Sequence, residues 1–358
     1  MLKSFVTFAI LGGSAALACA QTGVTTYGVI DAGVVGQGGC GDACATQVGS
    51  GLASESHIGI HGSEPVGNNT SAIFTLESGV RVDTGRSDQR ERLFGRQAFV
   101  GLAGEFGAIT IGRQYNLQYL ALTDVGDPFK GGMAGSASNL IGGGRRVDNS
   151  VQYFGALARG ISAGASYAFK ENVDTSPAGR AWGMTVGIEA GPLTVRAAHQ
   201  NLSAVRVQLN SKTANDTVSR NSILAANLRL GWGTAYAAYS MSRGWASSPL
   251  FNPDNPYGAG LARTASTNSR DVLLGMAVPV SERTTLLASV IRKDDRDLAN
   301  QDADQVAFGA SYAISRRTDF YGAYSHIKNR NGAGYTVGNA SARGTGNSAI
   351  NIGMRHAF

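Results

Sequence analysis

The chain has 358 residues, 43% of them hydrophobic and 16% charged, with a formal charge of +6 at neutral pH. That composition excludes a disordered chain, the small excess of positive charge is too dispersed for a nucleic-acid partner, and no run of 18 or more apolar residues provides a helical membrane span. Glycine, at 49 residues about twice its usual share, has no Gly-x-y period and comes with only 8 prolines, which excludes collagen and favours short strands joined by tight turns.

Met1-Leu2-Lys3 is a short basic start, Phe5 to Leu17 is apolar but too short to span, and Ala18-Cys19-Ala20 has the small-x-small pattern of a signal peptidase site. Residues 1–20 are therefore expected to be a cleaved signal peptide, and 21–358 the exported chain. Acylation of Cys19 is the weaker reading, because Ala16 stands where a lipoprotein signal wants leucine. In an oxidising compartment Cys40 and Cys44 are expected to close a small loop as a disulfide. A zinc half-site is the weaker alternative, since no second Cys or His pair sits at ligand spacing. Gly36-x-Gly38-x-x-Gly41 fits a dinucleotide fingerprint, but Asp42 to Gly51 carries no helical pattern to present an N-terminus to phosphate. No cofactor and no metal are expected.

Strand alternation then runs the length of the chain. Ile58 and Ile60 share one face while His57, Gly59 and His61 share the other. Ala72, Phe74, Leu76 and Val80 oppose Thr75, Glu77 and Arg81, and Ile350, Ile352, Met354, His356 and Phe358 oppose Asn351, Gly353, Arg355 and Ala357. Sixteen such runs are read, near 23–36, 52–63, 70–82, 92–104, 106–115, 147–157, 159–170, 180–190, 192–202, 219–229, 231–242, 266–279, 282–293, 302–313, 318–328 and 345–358. Their connections alternate tight and long, the asymmetry of an outer-membrane barrel, and every proline falls in or beside a connection. The fold class is thus all-β, a 16-stranded antiparallel transmembrane β-barrel, bounded by lipid and closed because the first and last strands pair. Sixteen strands leave a lumen too wide for side chains to fill, which implies a water-filled channel for small hydrophilic solutes and ions.

Several stretches resemble the general diffusion porins of Gram-negative bacteria, of the beta-proteobacterial type. They are Val24-Thr25-Thr26-Tyr27-Gly28-Val29-Ile30-Asp31-Ala32-Gly33, Ile58-Gly59-Ile60-His61-Gly62-Ser63-Glu64, Phe74-x-Leu76-Glu77-Ser78-Gly79, Leu93 to Leu102, Gly112-Arg113-Gln114-Tyr115, Arg146-Val147-Asp148-Asn149-Ser150-Val151-x-Tyr153 and Gly353-Met354-Arg355-His356-Ala357-Phe358. The resemblance implies a homotrimer whose third loop, here 116–146, folds into each barrel and places Asp124 and Asp127 opposite a basic cluster on the wall. Carried over by motif, that cluster is Arg96, Arg113 and Arg146, with His57 and His61 where the family commonly has basic residues. Histidine is largely uncharged near neutral pH, unlike arginine, so these two positions weaken the field the resemblance implies. By parity His57 and His61 face the lumen, whereas Arg113 shares a face with the apolar Ile109 and Ile111. Asp124 and Asp127 also admit a plainer role as turn caps beside Pro128. Phe358 and the apolar residues on its face resemble the terminal-strand signal read by the outer-membrane assembly machinery.

An outer-membrane hydrolase would need a nucleophile and its base, yet no Gly-x-Ser-x-Gly occurs and none of the five histidines lies in a catalytic motif, so no enzyme is expected. An adhesin barrel would be narrower and filled. A porin with a dedicated anionic solute remains the alternative to a general channel.

Overall fold

The computed structural model describes residues 23–39, 44–142, 144–169, 180–202, 207–209, 212–214, 219–244, 266–337 and 346–358. The signal-peptide reading and Cys40 lie outside these residues; Cys44 is in a disulfide. Among the described residues, sixteen long strands follow one another: β1 (Gly23–Gly38), β2 (His57–Gly67), β3 (Thr70–Arg81), β4 (Gln97–Gly104), β5 (Gly107–Tyr115), β6 (Arg146–Ala158), β7 (Ile161–Ala168), β8 (Ala181–Ala190), β9 (Leu193–Leu202), β10 (Ser219–Leu230), β11 (Gly233–Arg243), β12 (Asn268–Pro279), β13 (Thr284–Asp295), β14 (Ala303–Ala313), β15 (Thr318–Asn329) and β16 (Ser348–Ala357). Each pairs antiparallel with its successor, and β1 pairs with β16 in register from Val29 against Ala357 to Gly38 against Ser348, which closes the barrel. No strand edge is then left to lipid. The last rung is Phe358, whose N–H donates to the Gly28 carbonyl at 3.1 Å while its own carbonyl accepts from Gly28 at 3.3 Å. Gly28 is small by necessity: a Cβ there would strike the Phe358 ring and the His57 carbonyl.

The faces are inverted relative to a soluble protein. Val100, Ile111, Leu274, Phe308 and Ile352 are more than half exposed, whereas Ser240, Asp271, Gln305 and Asn351 on the opposite parity are buried. An exposed apolar belt around a polar interior suits hydrocarbon outside and water or polar groups inside. Tight turns are cut by residue type: β2 and β3 join through Asn68 and Asn69, whose φ of 50° and 53° gives the twist a two-residue hairpin needs. Pro65 stays within β2 at a bulge between Pro65 and Gly67, where no ladder donor is missed.

Two expected runs begin late. The run from 52 becomes strand only at His57, and that from 92 only at Gln97. Residues 51–56 instead bend into the bore, because the Asp31 carboxylate accepts the backbone N–H groups of Leu52 (3.1 Å), Ala53 (2.9 Å) and Ser54 (2.7 Å) as well as the Tyr321 hydroxyl.

The long connection after β5 opens with helix α1 (Leu117–Ala121), N-capped by Asn116, whose side chain accepts from Tyr119 N–H at 2.6 Å. It lies against the inner wall. Asn227 Nδ2 donates to the Val125 carbonyl (3.2 Å), Asn221 Nδ2 to that of Gly142 (2.7 Å) and Asn139 Nδ2 to Gln305 Oε1 (3.0 Å). The wall makes room with small residues: Gly126 meets Ala225 and Ala238, Pro128 meets Gly275, and Phe129 meets Gly309. Leu122, Val125, Phe129, Leu140 and Ile141 of this loop, with Ile223, Leu273, Ile291 and Ile327 of the wall, form the hydrophobic core inside the barrel.

Candidate functional site

The bend at 51–56 delivers Glu55 into the bore. Its carboxylate is bound by three guanidinium groups, Arg96 Nη1 and Arg146 Nη2 on Oε2 and Arg145 Nη1 on Oε1. Arg96 also donates through Nε to Glu77 Oε1 at 2.5 Å, and Glu77 accepts the Tyr27 hydroxyl at 2.9 Å. Arg146 lies over the Tyr115 ring at 4.6 Å and donates to its hydroxyl at 2.8 Å, while Arg145 lies over Tyr119 at 5.6 Å. Burial by itself would raise the Glu55 carboxyl, but Arg146, Arg96 and Arg145 outweigh it and hold the group well below the usual carboxylate range. Three guanidinium groups thus converge on the Glu55 carboxylate in a side-chain cluster that shows little surface: the Arg146 side chain is 1% exposed.

The expected residues divide around this cluster. Arg96 and Arg146 are in it. His57 joins it, its Nδ1 bonded to the Glu55 carbonyl at 2.7 Å and its Nε2 3.7 Å from Glu77 Oε2. His61 lies two positions along the same face, beyond Gly59, its ring 5.1 Å from that of Tyr27. Arg113 is not part of the cluster. It stays on the parity of Ile109 and Ile111 and binds Asp148 and the Gly95 carbonyl (2.7 Å), with Arg92 on the same carboxylate at 2.9 Å. The bulge at this level, where the β5–β6 register shifts between Gly112 and Gln114, gives Asp148 to Arg113 and Arg146 to Glu55.

The two acids of the loop also part. The Asp127 carboxylate accepts from the backbone N–H groups of Phe129, Gly131 and Ala137, each at 2.9 Å, and is 1% exposed. It fastens the loop to itself, and no basic side chain pairs with it among the described residues, the arrangement of a carboxylate that caps a tight turn beside Pro128. Burial pushes its carboxyl up to about 6 against the opposing pull of those three donors. Asp124 does reach the bore, with its side chain 45% exposed and Oδ2 3.7 Å from Arg196 Nη1.

Sequence reasoning missed Glu55, Arg145 and Arg196. Arg145 adjoins a motif arginine and was within reach; Glu55 sits in a bend with no periodicity to mark it.

The comparisons agree with the fold. A family model described as Gram-negative porin matches residues 7–332, and the chain belongs to that family, one of passive channels in the outer membrane. It is 26% identical to an outer membrane porin protein of Bordetella pertussis and 27% identical to outer membrane porin protein 32 of Delftia acidovorans, each match covering 100% of both chains. Among solved structures, an anion-selective porin from Comamonas acidovorans superposes with a TM-score of 0.75 at 23% identity, covering 94% of this chain and 100% of that one.

Proposed function

We propose that this outer-membrane channel passes small hydrophilic solutes and ions with a modest preference for anions, working as a homotrimer after removal of residues 1–20. The observation that carries the preference is the convergence of Arg96, Arg145 and Arg146 at one place in a bore narrowed by the loop from 116 to 146. A ring of cationic groups lowers the energy of an anion in transit and raises that of a cation. The anion-selective relative of the same fold supports the sign. Zero-current potential across a planar bilayer in a KCl gradient tests it. Chloride preference is expected, weakening toward 1 M salt, where the screening length is ~3 Å; cation preference would overturn the assignment.

The terminal strand is proposed as the segment handed to the assembly machinery, with Phe358 as its recognised end, since an unpaired strand ending in an apolar residue can be captured by edge addition. Deleting Phe358 is expected to lower the folded yield in cells more than the refolding yield in detergent. Equal losses would mean that only the closing rung to Gly28 matters.

A further inference from the structure

The arginines that converge on Glu55 are buried. From Leu117 to Gly142 the loop is buried or half-buried at every residue except Asp124 and Lys130. Asp124 is answered by Arg196. Lys130 has no ion pair among the described residues, and the charges that act on it are Arg355 and, opposing it, Asp124.

The linkage is built from the backbone outward. Lys130 occupies a turn at φ 53°, its N–H bonded to the Asp127 carbonyl at 3.1 Å. Two residues on, Gly132 abuts the Ala53 carbonyl so closely that no Cβ fits between them, and the Met133 N–H donates to the Leu52 carbonyl. The next residue of that wall segment, Ser54, accepts from Arg355 Nη1 at 2.8 Å, while Arg355 Nε binds Asp319 Oδ1 at 3.0 Å. The loop tip that presents Lys130 is therefore bonded to the same short segment that holds Arg355. The Arg355 side chain is 36% exposed. The charged groups facing the pair are Asp319, committed to Arg355, Asp124, shared with Arg196, and Asp127, turned to its own backbone.

We infer that Lys130 and Arg355 form the contact point for permeating anions in this bore, one cation carried by the loop and one by the wall, with the buried arginine cluster supplying field but no contact. Two like charges brought to one place by covalent and hydrogen-bonded scaffolding, with Asp124 shared with Arg196 and Asp319 committed to Arg355, leave a place that a small anion stabilises by binding to both. The class of ligand is a small inorganic anion or carboxylate, favoured more as its charge rises. This assignment rests on the proposed anion preference and names where it is exerted. Burial first, and then Arg355, lower the Lys130 ammonium from its ordinary range, with Asp124 opposing. Its charge is accordingly lost below the pH at which an ordinary lysine titrates, and anion preference falls with it.

The test is zero-current potential in a KCl gradient at low salt for the parent, Lys130→Gln, Lys130→Glu, Arg355→Gln and Arg355→Lys, with heat-modifiability on gels as the check of folding. Removing one contact charge is expected to lower the chloride-to-potassium permeability ratio roughly two- to threefold, Lys130→Glu further, and Arg355→Lys to keep the parent value. Sulfate is expected to depress chloride current in the parent more than in Lys130→Gln. A parent that prefers anions with Lys130→Gln and Arg355→Gln unchanged overturns the assignment and leaves the anion preference standing. A parent without anion preference overturns both. Because Lys130 is exposed on the loop, its variants answer even if Arg355→Gln does not fold.

Discussion

Glu55→Gln is expected to lower the temperature at which the folded barrel is lost and, in the channels that form, to raise the preference for anions. Its carboxylate is the common acceptor for Arg96, Arg145 and Arg146, whose side chains are 10%, 10% and 1% exposed. A glutamine of the same shape removes the charge and turns an N–H toward donors that need an acceptor. Taking away one partner of a buried ion pair costs about 3–5 kcal/mol, because the charge left behind has neither water nor counterion. Glu77 and the rings of Tyr115 and Tyr119 remain to hold the guanidinium groups, so the barrel is weakened and not abolished. The pH dependence has a definite sign. The folded-state pKa is depressed, so the contribution is fully present above the unfolded value of ~4.3 and is lost as pH falls below it toward the folded value. Parent and variant should differ most in thermal stability at neutral pH and converge in strong acid. Equal transition temperatures at neutral pH, with an unchanged zero-current potential, would remove Glu55 from the role of counterion.

The barrel was legible because every strand repeats the same two-residue period and because turns and loops alternate in length; both signals survive without knowing any contact. Parity also placed His57, His61 and Glu77 on the inner face, and it spoke against Arg113, which the motif drew into the cluster. The geometry sides with parity. What stayed hidden has a common cause. Glu55 is positioned by Asp31, a residue on another strand whose carboxylate gathers three consecutive backbone N–H groups, and neither composition nor spacing records such a bond. Lys130 is one lysine between Phe129 and Gly131, without pattern; only the burial of its neighbours singles it out. Asp127 carried both readings in its sequence, acid of the bore or cap beside Pro128, and only the direction of its carboxylate separates them.

That direction makes Asp127→Ala the variant with the largest expected change in conductance. The substitution leaves the N–H groups of Phe129, Gly131 and Ala137 without an acceptor in a buried turn, at about 1–3 kcal/mol for each group that stays unsatisfied. The anchors that remain, from Asn227 to Val125, Asn221 to Gly142 and Asn139 to Gln305, lie on either side of the released turn and do not replace it. None of the strand ladders passes through this loop, so the variant is expected to fold and keep its heat-resistant form, while its single-channel conductance rises and becomes noisy as the loop ceases to narrow the bore. Acid does not imitate the substitution. The carboxyl is pushed up to about 6 in the folded loop, above its unfolded ~3.9, so the contribution of this group is fully present below the unfolded value and is lost as pH rises through about 6. The parent channel should therefore remain quiet at pH 5 where Asp127→Ala is noisy at pH 5 and pH 8 alike. Were Asp127 an acid of the constriction, the variant would instead keep the parent conductance and noise and shift only its ion preference toward anions, and that outcome would return the residue to the wall of the pore.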